Sequence, residues 1–370
     1  MRRKAFSVFV FTSAVSSMLG GGAARADFRR IAAVPIEGEP MVSFDISWVD
    51  HRGHFYCLTD RSNAAVHFID AGSNTYVGRA TGFVGVHPEG NPRSGPNGVL
   101  VIESQHEAWA SDGDSTVKVI DLLTREIIDT IDTSREPGDK RADEMAYDPR
   151  DHILMVANNE DSPPFLTFID TQTHQVLGRL EVPEATDGLE QPVFDGSTGK
   201  FLQAVPETKE NPGGEIKVID PVTRQLENTY PIPVTQDGRH CSPHGLDLGP
   251  RHELLVGCSL AGTDVLTVIM NAGNGEIVKS FTEVGASDQV WFNQGDGNYY
   301  LAARNFPGGS VLGIIDSEKN EWVDNIPTAP NSHSVAANRR NNEVFVPFTP
   351  LTGDPECSNG CVAIFADDDN

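Results

Sequence analysis

The sequence predicts an all-β protein: a seven-bladed β-propeller of four-stranded antiparallel blades, its ring closed by an N-terminal strand. Three observations lead there. A short apolar strand, usually ending Ile-Asp, recurs seven times. Each interval holds four strand signals parted by turn residues. No segment beyond the first 26 residues sustains a helical hydrophobic period.

The recurring strand runs Val66–Asp70, Val117–Asp121, Leu166–Asp170, Ile216–Asp220, Leu266–Met270, Leu312–Asp316 and Val362–Phe365. Its isoleucines, at 69, 120, 169, 219, 269, 315 and 364, lie 46 to 51 residues apart. A fixed period of that length, filled with short strands, is the signature of propeller blades. The fifth repeat shows the internal plan, with strands expected at 245–248, 253–258, 265–269 and 276–281. Gly249-Pro250-Arg251-His252 and Asn271-Ala272-Gly273-Asn274-Gly275 supply the turns between them. The last repeat ends after its third strand, and 366–370 is polar. An orphan strand, Arg29–Pro35, begins the mature chain and resembles the fourth strands at 228–231 and 323–327. It is expected to complete blade seven, which pairs edges otherwise left open. Residues 27–370 then form one domain.

The chain opens with a targeting segment. Arg2, Arg3 and Lys4 precede a run of apolar and small residues without an acid, and Ala24-Arg25-Ala26 offers small residues at −3 and −1. Residues 1–26 read as a secretory signal peptide cut after Ala26. Ser, Thr and Gly dilute its apolar stretch below what a membrane anchor needs. The protein is expected to be periplasmic or secreted, with no membrane insertion after cleavage. In an oxidising compartment its five cysteines become disulfide candidates. Cys357 and Cys361 bracket a short loop, Cys241 and Cys258 flank a strand–hairpin–strand, and Cys57 is left as a buried thiol. The 370 residues carry a formal charge of −25, which argues against a nucleic-acid partner. Removing the signal would make the chain more acidic still.

The Ile-Asp third strands and the Gly95-Pro96-Asn97-Gly98-Val99 segment resemble seven-bladed propellers of the YVTN-repeat and senescence-marker/gluconolactonase type. The resemblance covers nearly all of 29–366. It implies the fold and leaves function open, because such relatives include lactone hydrolases, lyases and plain binding scaffolds. The gluconolactonase-like members hold a central cation with carboxylate and amide side chains, a set that Asp45, Asn97 and Glu144 loosely resemble. Gln191 and His244 depart from that pattern.

Propeller geometry sends first strands to the central channel. It also gathers the loops before strand one and after strand two on one face. Alignment of the seven segments leading into strand one gives a ring: Asp45, Asn97, Glu144, Gln191, His244, Gln289 and His333. Seven converging polar residues are costly to bury without water, a metal or a ligand. Asp45, Asn97, Glu144, His244 and His333 are the candidate metal ligands. The two imidazoles favour zinc, manganese, iron or copper. Without them, magnesium or calcium suits the oxygen donors. His244, His333 and Arg304 are the catalytic candidates. Arg61, Arg141, Asn158, Glu207, Gln191, Gln289 and His240 are the substrate-binding candidates. The three arginines either clamp a substrate carboxylate or form ion pairs across blades. Asp112-Gly113-Asp114 has the start of a calcium loop without the rest, and an ordinary turn explains it.

The resulting expectation is an exported metal-assisted hydrolase, such as a lactonase, or a lyase, acting on a small acidic or sugar-derived substrate. The alternative is a non-catalytic propeller that binds a ligand or a protein. No Gly-x-Ser-x-Gly elbow, Walker loop or Cys-x-x-Cys-His haem site is present.

Overall fold

The computed structural model describes residues 28–260 and 262–367. The signal segment expected at 1–26 lies outside the described residues. Among the described residues, twenty-eight strands form seven four-stranded antiparallel sheets, with three short 3-10 turns beside them. Blades one to six each consist of four consecutive strands. Blade seven takes its outer strand, Arg29–Pro35, from the N-terminus, paired to Cys361–Ala366 at the C-terminal end. Ring closure is as the repeat count predicted. The strand bounds differ little. In blade five the third strand starts at Thr267, later than expected, because Gly262–Asp264 makes a 3-10 turn first.

The aspartate of each Ile-Asp unit explains the repeat. Asp70 Oδ1 accepts the amides of Gly72 and Ser73 at 3.0 and 2.8 Å. Asp121, Asp170 and Asp316 do the same for the residues two and three positions on. Each of these turns then ends on a left-handed residue four positions after the acid, at Asn74, Arg125, His174, Arg224 and Asn320, and in blade five Asn271 takes the place of the acid ahead of Gly275. The aspartate and Asn271 side chains mimic the backbone of a turn and set the hairpin between strands three and four.

Burial follows position in the blade. Third strands such as Phe165–Asp170 are covered on both faces, whereas the outer Gln175–Glu181 alternates between exposed and half-buried. The core is divided among the blade interfaces. Phe68 packs with Val101 and Ile120 between blades one and two. Trp109 and Leu154 meet between two and three. Phe201 joins Phe168 between three and four, and Leu202 joins Leu254 between four and five. The largest cluster spans the closure, with Tyr56, Tyr300, Phe345 and Val34. Two disulfides, Cys241–Cys258 and Cys357–Cys361, add covalent ties, and Cys57 is a buried free thiol.

Inner strands meet around the axis at the aligned level. Ile46 N donates to Asn97 O, Gln191 N to His244 O, and Gln289 N to His333 O. Gly98 and Gly245 have no room for a Cβ, which would lie 2.6 Å from Asp143 O and 2.3 Å from Asp288 O respectively. Glycine lets neighbouring blades approach there. Toward the opposite face, Trp48 packs against Trp291 with ring centroids 5.0 Å apart and touches three of the interface clusters. The channel is therefore narrowed by aromatics on that side. No helix among the described residues is long and apolar enough to cross a membrane.

Candidate functional site

The channel opens into a cup of about 300 Å³ on the face formed by the loops before strand one and after strand two. Ser43, Phe44, Asp45, Arg61, Arg141, Asp143, Glu144, Glu160, Glu190, His244, Asp288, Arg304 and His333 line it, with Val42, Asn91 and Asn331. Six carboxylates face three guanidinium groups, so the wall carries surplus negative charge.

Every arginine of the cup is already paired. Arg61 is bonded to Asp45 through Nη2 and to Asn97 Oδ1 through Nε at 2.9 Å. Arg141 reaches Asp143 at 2.7 Å, donates to Asn159 Oδ1 at 3.1 Å, and lies 3.9 Å from Glu160. Arg304 pairs with Asp288 at 3.0 Å and is the most exposed of the three. The structure displays ion pairs, but each joins segments of a single blade rather than crossing between blades as the sequence suggested.

Protonation follows from burial and these partners. Burial pushes the Asp45 carboxyl up, but Arg61, with His333 and Arg141, outweighs it and holds the group well below the usual carboxylate range. Burial pushes Asp143 up to about 6 against the pull of Arg141. Burial also drives Glu144 well above its ordinary value, reinforced by Glu190, Asp143 and Asp288. Glu190 behaves alike, raised by burial and then by Asp288 and Asp143. Burial lowers His244, opposed by Asp288.

The two histidines are held differently. His244 has Nδ1 3.1 Å from Ser242 O, while Nε2 lies 3.6 Å from Glu190 Oε1. With Nδ1–H donating to the carbonyl, Nε2 is the basic nitrogen facing the acids. His333 stacks on Phe44 at 4.4 Å, with Nδ1 at Asn331 O (2.7 Å) and Nε2 near Phe44 O (3.2 Å) and Asp45 (3.6 Å).

The structure thus brings together Asp45, Glu144, His244, His333, Arg61, Arg141 and Arg304. Asn97 is fully buried and outside the lining, where its Oδ1 accepts from Arg61 Nε at 2.9 Å and its Nδ2 donates to the Ala142 carbonyl at 2.8 Å. Gln289 turns aside to Ser47, Ser334 and Val335 and ties three inner strands together. Gln191 is not in the lining, although its backbone holds the expected level. Asn158 is buried outside the cup, bonded to Ser115, Thr133 and Thr167. Glu207 is exposed and accepts from Thr186, and His240 sits at Pro212 O, both away from the lining. Asp112 is consumed by Val84, Gly113 and Lys118, as a turn rather than a calcium loop.

Glu190, Asp288, Asp143 and Glu160 are cup residues that the ring alignment passed over. Successive side chains on a strand face opposite ways, so a shift of one residue exchanges which of them meets the channel. In blades four and six the acid before the aligned glutamine faces inward. The signal was present as three acid-led pairs, Asp143-Glu144, Glu190-Gln191 and Asp288-Gln289.

No protein-family model matches the sequence. No curated protein matches it either. The architecture itself is widely shared, with 1685 chains of solved structures matching it, so the fold alone does not select an activity. One match is in the crystal structure of a mitotic checkpoint complex, with a TM-score of 0.67 and 10% identity over 99% of this chain and 98% of that one. By its own sheets and by that likeness, the chain is a seven-bladed β-propeller over nearly its whole length.

Proposed function

We propose that the protein is an exported metal-assisted hydrolase or lyase working in the channel cup, in the line of the senescence-marker/gluconolactonase-like propellers. One observation carries the reading: a polar cup in which carboxylates outnumber arginines and the His244 imidazole, its pKa lowered by burial, faces the acids. A divalent cation held by cup carboxylates would polarise a substrate carbonyl. His244 is the proton-transfer group, since Ser242 O fixes its tautomer and burial keeps it unprotonated. His333 and Arg61 hold Asp45 in place, and Arg304 is the arginine best placed to meet a substrate oxygen.

The charge pattern refines the substrate. Arginines paired to aspartates leave little to attract a carboxylate, so a neutral sugar-derived substrate fits better than an acidic one. The two disulfides suit an oxidising compartment. N-terminal sequencing of secreted protein should begin at Asp27.

The test is a turnover screen on neutral sugar lactones and on elimination substrates, with and without chelator. A His244→Gln variant should lose about a hundredfold or more in kcat while keeping its fold. Full activity in that variant would remove His244 from the proton transfer, whereas no turnover on either class argues for the second reading, a binding scaffold. Val42, which lines the cup and is 62% exposed, favours that alternative, and the propeller matched above belongs to a protein complex.

A further inference from the structure

One group of side chains in the cup is not accounted for by the arginines. Glu144, Glu190 and Asp288 come from the segments leading into blades three, four and six. A ligating oxygen from each lies within 4.8 Å of the other two. Of the three, only Asp288 has an arginine in contact, Arg304 at 3.0 Å. The nearby guanidinium of Arg141 is engaged by Asp143 and Asn159.

A second observation singles out this cluster. Glu144 is 5% exposed, lines the cup, and its Oε2 has no hydrogen-bond partner among the described residues. An unpartnered buried acceptor costs about 1–3 kcal/mol, and more when charged. Three carboxylates at this range also repel one another. Both costs vanish if a cation sits among them.

We infer that Glu144, Glu190 and Asp288 form a site for a hard divalent cation of the calcium, magnesium or manganese class. The inference deepens the reading of the cup as a metal-using pocket and rests on it. Carboxylate oxygens select hard cations over zinc or copper. The site differs from the expected set of Asp45, Asn97, Glu144, His244 and His333, of which it keeps Glu144 alone. Asp45 is committed to Arg61, Asn97 lies outside the cup lining with its amide bonded to Arg61 and Ala142, and His333 lies between two carbonyl oxygens. His244 stands beside the triad, 3.6 Å from Glu190, where it can act on a molecule bound there.

Isothermal titration of the chelator-stripped full chain with Ca²⁺, Mg²⁺, Mn²⁺ and methylammonium, in separate runs, tests this. One divalent ion should bind per chain. Glu144→Gln and Glu190→Gln should each weaken it about tenfold or more, and Asp45→Asn should change it less than about twofold. Thermal melting checks folding and reads the same site. The cation should raise the wild-type melting temperature and leave the glutamine variants nearly unmoved. Without cation those variants should melt at or above wild type, because a repulsion is gone. Failure of folded wild type to bind any of the three ions overturns the inference. Binding that survives both glutamine variants, or binding of methylammonium alone, also overturns it. A cation that binds here without any turnover would sink the enzyme reading and leave this site standing. Turnover by a folded chain that binds none of the three ions would do the reverse and leave a metal-free enzyme.

Discussion

The aspartates of the Ile-Asp strands are the most regular polar residues in the sequence, and the structure assigns them to turns. Asp170 Oδ1 accepts two amides, from Gln172 and Thr173. Asp170→Ala should cost about 1 kcal/mol by denaturant unfolding, with no effect on ligand binding. Regularity around the ring marks scaffold, and the functional candidates lie where the repeat breaks its own pattern. Asp45, Glu144, His244 and His333 were legible because the alignment of strand-one segments fixes which residues share a level. Glu190 and Asp288 were not, because a one-residue offset decides which side chain turns inward. Asp247 offers a pH test away from the triad. Burial pushes it up to about 7, although the Phe292 and Leu248 amides at 2.5 and 2.8 Å oppose the shift. Its folded pKa lies above the unfolded value of about 3.9. The folded state therefore binds the proton more tightly, and stability falls as pH rises from about 4 to 7. Asp247→Asn should remove that slope. The variant should gain on the order of 2 kcal/mol over wild type at pH 8, allowing for the group's partial exposure, and almost nothing at pH 4. Urea melts at the two pH values would show it. An equal effect at both would contradict the assignment.

At the scale of the element, strand pairing and covalent ties make separate predictions. The closing strand Arg29–Pro35 pairs with Cys361–Ala366 along its length, and Val34 is buried in the closure cluster. Val34→Asp would place an unpaired charge there and should cost roughly 3 kcal/mol or more. Size-exclusion chromatography should then show association, since an open edge is a template for another chain. Cys241–Cys258 closes a loop with a sequence separation of 17. Replacing both by serine should cost about 2–4 kcal/mol, read by thermal unfolding with and without reductant. These elements were readable because each follows from local patterning. The third strand of blade five was read two residues early, since apolar Val265 and Leu266 continue the strand pattern through a segment that the chain uses for a 3-10 turn and its exit.

Over the whole molecule, a ring of near-equivalent blades solves the edge problem and leaves the axis for chemistry. Symmetry fixes what the blades share, and the cup is built from what they do not. Its acids come from different blades and meet only when the ring closes, so no local pattern could show Glu144 beside Asp288. For the same reason the architecture, common to many solved propellers, says nothing of the substrate. The central claim is that the acidic cup holds a metal that the protein uses. Elemental analysis by mass spectrometry tests it most directly, on protein purified from the full-length chain beside a Glu144→Gln, Glu190→Gln double variant. The account predicts a near-stoichiometric divalent ion in the wild type, lost in the variant while the fold persists. Metal-free wild type, or the same metal content in both, would contradict it.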